Sequence, residues 1–344
     1  MTYTSIRKQL IDIYNRSHAP EADDLAWLIA ETNDRFMSEA PETRPRDEAG
    51  LPGGLICLNR ELPCVIVPDI HARLDFIISV LLGEDDEGAS ALDRLCHGEV
   101  QILCLGDGMH SEGRASERWN AAAMEYFGHY REHLNMDEEM RESLGVMEMV
   151  MLLKNAFPNN FHFLKGNHEN ITNEDGNGNH PYAKYALEGE MVSRYMEMFY
   201  GPGIIDRYYA FEGNLPVLSV GRSFMASHAE PAACYRRDEV IHYRSNPLVV
   251  EGLTWTDNDV AEEGSVACMM AEYLGPDASR GFYFGGHRSA VSLYGTRAGG
   301  KYIQINSPDR FIIAKIDQLN DINPDENIVE IENSAPRILS EHRG

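Results

Sequence analysis

The sequence predicts a layered α/β fold. Three observations lead there. Apolar residues make up 43% of the 344 positions and charged residues 25%, the balance of a globular protein. From about residue 62, apolar runs of five or six residues, rich in β-branched and aromatic types, read as strands. Helical or polar segments separate these runs over about 250 residues, the alternation expected of strands and helices in layers. At this length the chain allows two compact domains or one large α/β domain with extensions.

From the amino terminus, Ile6, Leu10 and Ile13, then Leu25, Leu28, Ile29 and Phe36, recur at helical spacing and predict an accessory helical extension over residues 1–50. Its end, Ala40-Pro-Glu-Thr-Arg-Pro-Arg-Asp, reads as a linker because prolines and charges break both periodicities. The main domain, 51–317, carries predicted strands at Pro63–Val67, Val100–Leu105, Asn160–Leu164, Pro216–Val220, Ser223–Ser227, Gly281–Phe284, Tyr302–Ile305 and Phe311–Ile316. Residues 112–142 are polar, helical in pattern and rich in Met, Glu and Arg, and read as an insertion between two of these strands. Residues 318–344 lose periodicity, which predicts a polar, loosely attached tail. No internal repeat or low-complexity tract is evident.

Thirty Lys and Arg against 55 Asp and Glu leave a net charge of −25. Non-specific nucleic-acid binding and attraction to anionic membranes both need basic patches, so neither partner is expected. No apolar stretch approaches the roughly 20 residues that span a bilayer, and no run of signal-peptide length follows Met1, so a cytoplasmic protein is expected. Cys57, Cys64, Cys96, Cys104, Cys234 and Cys268 form no CxxC pair and several lie in apolar runs. They read as reduced, buried thiols rather than as a disulfide frame or zinc site.

Five clusters of metal-ligand residue types follow predicted strands directly. They are Asp69 and His71, Gly106-Asp107, Gly166-Asn167-His168-Glu169, Ser227-His228 and Gly285-Gly286-His287. In open α/β sheets ligands bind beyond the carboxyl ends of the strands, so the five converge on one edge although they span over 200 residues. Two carboxylates, an Asn amide oxygen and three imidazoles make a mixed set that suits two divalent ions of Mn, Fe or Zn better than Ca or Mg. Taken singly, each His also fits a hydrogen-bonded structural role, and Asp69, Asp107 and Asn167 fit helix caps or turns.

These clusters resemble the calcineurin-like metallophosphoesterase superfamily, and in particular its phosphoprotein phosphatase branch, over residues 64–317. Phe157-Pro-Asn-Asn-Phe-His-Phe-Leu-Lys-Gly-Asn-His-Glu169 is similar to that family's strand and GNHE signature. Leu253-Thr-Trp-Thr-Asp257 resembles its LLWSD segment, Arg280-Gly281 its RG, and Ile305-Asn-Ser-Pro308 its SAPN region. The resemblance implies a four-layer αββα sandwich of two mixed β-sheets flanked by helices. It implies that Asp69 and His71 bind one metal, that Asn167, His228 and His287 bind the other, and that Asp107 bridges them. His168 would be the general acid, and two metals about 3.5–4 Å apart would generate a hydroxide for in-line attack on phosphorus.

One stretch departs from the family. Where its members read GDxxDRG, this chain reads Gly106-Asp107-Gly-Met-His110-Ser-Glu112-Gly-Arg114. Both the Asp that orients the catalytic His and the adjacent phosphate-clamping Arg are missing. Glu112 is the expected substitute for the Asp, with His110 in its place in the chain, and Arg114, Arg244 or Arg288 is expected to bind phosphate. The resemblance therefore implies a phosphomonoesterase with a phosphoprotein or small phosphoester substrate. Hydrolysis of dinucleoside tetraphosphates or another small phosphodiester, and a non-catalytic scaffold, are the competing readings.

Overall fold

The apolar runs become strands because each presents alternate residues to two different buried layers. The computed structural model describes residues 2–342. The strands are β1 (Leu55–Cys57), β2 (Cys64–Val67), β3 (Gln101–Cys104), β4 (Phe161–Phe163), β5 (Leu218–Val220) and β6 (Phe224–Ala226). They continue with β7 (Phe282–Gly285), β8 (Gly295–Arg297), β9 (Tyr302–Gln304), β10 (Ile312–Ile316) and β11 (Ile328–Glu330). All but β1, β8 and β11 coincide with the apolar runs.

They form two mixed sheets, ordered β11-β10-β2-β3-β4 and β1-β5-β6-β7-β9-β8. Within the first, β2, β3 and β4 are parallel. Within the second, β6, β7 and β9 are parallel. In β3, Ile102 and Cys104 pack under helices while Leu103 packs between the sheets. In β6, Phe224 and Ala226 join Leu103 between the sheets while Met225 faces a second helical layer. Both faces of each sheet are thus buried, and this is why continuous apolar runs rather than alternation mark the strands.

The helices over the five-stranded sheet are α1 (Tyr3–Asn15), α2 (Ala22–Met37), α3 (Leu74–Leu82) and α4 (Ala91–His97), followed by α5 (Ser116–Phe127), α6 (Leu134–Ala156), α7 (Glu188–Phe199) and α8 (Pro202–Gly213). Those over the six-stranded sheet are α9 (Arg237–Ile241), α10 (Pro247–Thr254) and α11 (Ser265–Leu274). The result is a four-layer αββα sandwich. Ile6 and Leu10 of α1, with Leu25, Ile29 and Phe36 of α2, lie in the same apolar core as the sheet-covering helices. Behind α2, the buried Glu39 carboxylate accepts hydrogen bonds from Arg44 at 3.0 Å and from Lys154 of α6 at 2.6 Å.

Two sequence expectations are corrected. The segment from 318 is not loosely attached: α12 (Pro324–Asn327) leads into β11, which pairs antiparallel with β10, and α13 (Ala335–His342) buries Ala335, Ile338 and Leu339 against the first layer. Its apolar residues are too few to show a period, but all except the exposed Leu319 meet hydrophobic neighbours. Nor are all six cysteines reduced and buried. Cys234 and Cys268 form a disulfide with Cα atoms 5.6 Å apart, and Cys96 is exposed. The packing of α11 brings its Cys268 to the loop after β6, a pairing across 34 residues that no local spacing signals. No helix among the described residues is long and apolar enough to cross a membrane.

Candidate metal centre

Because β2, β3 and β4 run parallel, their carboxyl ends share one edge, and the loops after them carry Asp69 and His71, Asp107, and Asn167 and His168. β6 and β7 deliver His228 and His287 from the facing sheet. Asp69, Asp107 and His228 offer ligand atoms all within 4.8 Å of one another. His71 Nε2 lies 3.8 Å from Asp69 Oδ2 and 3.7 Å from Asp107 Oδ2. His228 Nε2 lies 3.3 Å from Asp107 Oδ2 and 2.9 Å from Asn167 Oδ1, and His287 Nδ1 lies 3.0 Å from the same amide oxygen. The structure thus brings together all six residues expected to bind metal. Each is buried except His287, which is half-buried.

The loops are held in strained shapes. His71, Asp107 and His287 adopt φ of +48°, +50° and +58°, and Ala72 and His110 do likewise at +58° and +61°. Non-glycine residues rarely occupy this left-handed region, and each costs on the order of 1–3 kcal/mol unless its surroundings enforce it. Here they do. The Glu169 carboxylate accepts the backbone N–H groups of Gly166 at 2.6 Å and of Asp107 and Gly108 at 2.9 Å, tying the loop after β3 to the loop after β4. The buried Arg73 guanidinium donates to the carbonyls of Asp69, Ile70 and Ser307 at 2.7, 3.0 and 3.0 Å, tying the loop after β2 to the loop after β9.

The donor set fits divalent cations. His71 Nδ1 faces the His110 carbonyl at 3.1 Å and His228 Nδ1 the Leu105 carbonyl at 3.0 Å. Each Nδ1–H therefore donates outward, and Nε2 is turned toward the carboxylates, the arrangement that orients a metal-binding imidazole. His287 Nε2 is a buried atom with no hydrogen-bond partner. Burial raises the pKa of Asp69. Burial also opposes ionisation of Asp107, but the imidazoles of His228, His168 and His71 hold it well below the usual carboxylate range. Burial alone would lower His228, yet Asp107 and Asp69 push it up to about 9. The carboxylates draw positive charge onto that imidazole, the electrostatic demand that a bound cation meets.

Beside this set, His71, Glu112 and His168 form a second group with ligand atoms within 4.8 Å. His168 Nε2 lies 3.8 Å from Asp107 Oδ2, and its Nδ1 is 2.9 Å from Nδ1 of His110. Burial pushes His110 down to about 4 and His168 well below the ordinary histidine value. Glu112 does not reach back to the outer nitrogen of His168. Its Oε1 lies 3.8 Å from His71 Nε2, while Oε2 accepts from Lys184 Nζ at 2.5 Å and Tyr185 Oη at 3.2 Å. Tyr182 covers the histidine pair, its ring centroid 3.8 Å from that of His168 and 5.6 Å from that of His110.

The three arginines are dispersed. Arg114 donates to the Ala72 carbonyl at 3.0 Å and pairs with Glu142 at 2.8 Å. Arg288 pairs with Asp257 at the protein surface. Arg244 donates to Asn214 at 2.8 Å and to the Pro52 carbonyl at 2.5 Å, contacts that involve no residue of the metal centre. Sequence reasoning missed Lys184, Tyr182, Arg73 and Asn306, whose amide donates to Asp69 Oδ2 at 2.8 Å. Asn306 had a signal, because it follows β9, which is parallel to β7. Lys184 and Tyr182 lie in a loop whose path no pattern predicts.

No protein-family model matches the sequence, and no curated protein matches it. Among solved structures, the chain is similar to a protein serine/threonine phosphatase from Saccharomyces cerevisiae that is described as having similarity to human phosphatase PP5. The match covers 96% of each chain at 14% identity, with a TM-score of 0.58. A putative diadenosine tetraphosphatase matches over 81% of this chain and 97% of its own at 14% identity and TM-score 0.40. A cold-active protein tyrosine phosphatase matches over 76% and 75% at 14% identity and TM-score 0.41. The first of these likenesses shows the fold, the four-layer αββα sandwich that the chain shares with that phosphatase over 96% of its length.

Proposed function

We propose that the chain is a two-metal phosphohydrolase acting on phosphomonoesters, with phosphoserine and phosphothreonine proteins as its substrate class. The observation that carries this reading is the convergence of Asp69, His71, Asp107, Asn167, His228 and His287 from five strand ends onto one edge. Asp69 and His71 would hold one divalent cation, Asn167, His228 and His287 the other, and Asp107 both, with Mn, Fe or Zn suited to the mixed donors. When bound, such a pair polarises phosphoryl oxygens and lowers the pKa of a bound water.

The protein's own groups position the substrate and move one proton. His168 presents Nε2 toward the Asp107 side of the centre and would deliver a proton from that atom to the leaving oxygen. Its Nδ1 meets an imidazole instead of a carboxylate, and His110 can support a charged His168 only by accepting a hydrogen bond, without the charge that stabilises an imidazolium. Lys184 on Glu112 and Arg114 on the Ala72 carbonyl flank the His71 side and are assigned to phosphate, with Arg288 beside His287 on the other side. No such role is assigned to Arg244.

The test is hydrolysis of an aryl phosphate by metal-free protein reloaded with Mn²⁺, beside the Asp107→Asn variant. Activity that returns with metal and falls at least about 100-fold in the variant supports the reading. Protein that takes up no metal would leave a scaffold.

A further inference from the structure

On the outer face of the helical layer, α1, α2 and α6 frame a groove of about 740 Å³, and no residue of the metal centre lines it. Its walls are helical stripes. Asp24, Trp27, Leu28 and Glu31 of α2 recur at i, i+3, i+4, i+7, and Gln9, Asp12 and Ile13 of α1, with Arg16 just after it, face the groove with the same spacing. Glu148, Leu152 and Asn155 of α6 form its third wall.

Three features distinguish this groove from ordinary acidic surface. Trp27 is 65% exposed, unusual for the largest apolar side chain. Asn155 is only 6% exposed, yet neither its Oδ1 nor its Nδ2 has a hydrogen-bond partner, a costly state for a buried amide. Asp24 and Glu31 have no cationic partner among the described residues, whereas Glu148 at the same groove is paired with Arg16 and Asp12 with Lys8.

We propose that this groove docks an extended basic segment of a partner protein. Asp24 and Glu31 stand seven residues apart on one helical face, about 10 Å along the axis. In the extended polyproline II form three residues complete one turn and rise about 9 Å, so a segment with Lys or Arg at every third position would present two successive cations to this face. Trp27 and Leu28 lie between the carboxylates and would take the apolar stems and the guanidinium faces. Asn155 favours a peptide over a polyamine. Its amide holds N–H donors and an acceptor oxygen, both unpartnered, and a peptide unit can match both, whereas a polyamine offers donors only. The proposal does not depend on the hydrolase reading.

The experiment is fluorescence anisotropy of a fluorescein-labelled peptide, Arg-Leu-Gly-Arg-Leu-Gly-Arg, with the full-length protein, beside a peptide with Glu in place of each Arg. Saturable binding of the basic peptide alone is expected, weakened about tenfold by the Asp24→Asn, Glu31→Gln pair. Trp27→Ala, at an exposed position, should weaken it independently. Urea midpoints of the variants check that they remain folded. Absent binding, or equal binding by the wild type and the neutralised variant, would overturn the proposal. Displacement by spermidine at the concentration of peptide that competes would overturn the assignment to a peptide.

Discussion

At Gly286 an added Cβ would stand 1.8 Å from Asp69 Oδ1, and at Gly166 it would stand 2.2 Å from Asp107 Oδ1. Both glycines let backbone approach a carboxylate more closely than any side chain permits. Gly286→Ala must therefore push the Asp69 carboxylate aside. An error of about 1 Å at a reacting centre costs about 100-fold, so the variant should lose activity on that scale and bind less metal per chain, read by atomic emission of the dialysed protein. Full metal content and activity would show that the loop yields without moving Asp69. His168 makes a second prediction. With no carboxylate behind it, it should matter most where the leaving group needs a proton. His168→Ala should slow alkyl phosphates at least about tenfold more than aryl phosphates. Equal losses on the two ester types, measured under saturating Mn²⁺, would mean that His168 acts on binding or on the metals.

Among the elements, α5, α6 and the carboxyl-terminal segment all brace the layer that carries the candidate metal centre. In α6, Ser143 Oγ accepts the His110 N–H at 3.1 Å and Glu139 accepts the Ser111 N–H at 2.9 Å, while Trp119 of α5 donates to the Ser111 carbonyl at 2.8 Å. Helices α5 and α6 thus prop the strained loop after β3 that carries His110 and Glu112. At the other end, Ile328 of β11 and Ile338 and Leu339 of α13 are buried. Fully burying such a side chain is worth about 1.5–3 kcal/mol, so removing residues 328–344 should cost at least about 3 kcal/mol and lower the urea midpoint. An unchanged midpoint would mean that the segment contributes no net stability.

For the whole molecule, the net charge of −25 leaves phosphate binding possible because exposed charge is screened within roughly 8 Å at physiological salt, while the buried centre is not. Stability should depend on pH through His162, which is buried in β4 with Nδ1 unpartnered. Burial and the neighbouring Lys154 push it down to about 3 from 6.5. The unfolded chain then binds more protons than the native protein between those values, so stability rises with pH across the window and is lost as pH falls from 6.5 toward 3. The slope is at most about 1.4 kcal/mol per pH unit for this one group. His162→Phe should flatten the wild-type profile over pH 4–6 by that amount in urea titrations. An unaltered slope would mean that His162 is not the group responsible.

The alternation of strands and helices and the convergence of the six candidate metal ligands on one edge were legible in the sequence, because each rests on local chain geometry. A strand's period sends neighbours to opposite layers, and parallel strands bring Asp69, Asp107 and Asn167 to one edge whatever lies between them. The edge strands β1, β8 and β11 went unread although β4, β5, β6 and β9 are just as short. The Cys234–Cys268 bond, the turn of Glu112 toward Lys184, the dispersal of Arg114, Arg244 and Arg288 onto separate partners, and the burial of α13 were decided only in three dimensions. Each depends on the distance between elements remote in the chain, and that distance follows from how the layers pack rather than from any pattern within one element.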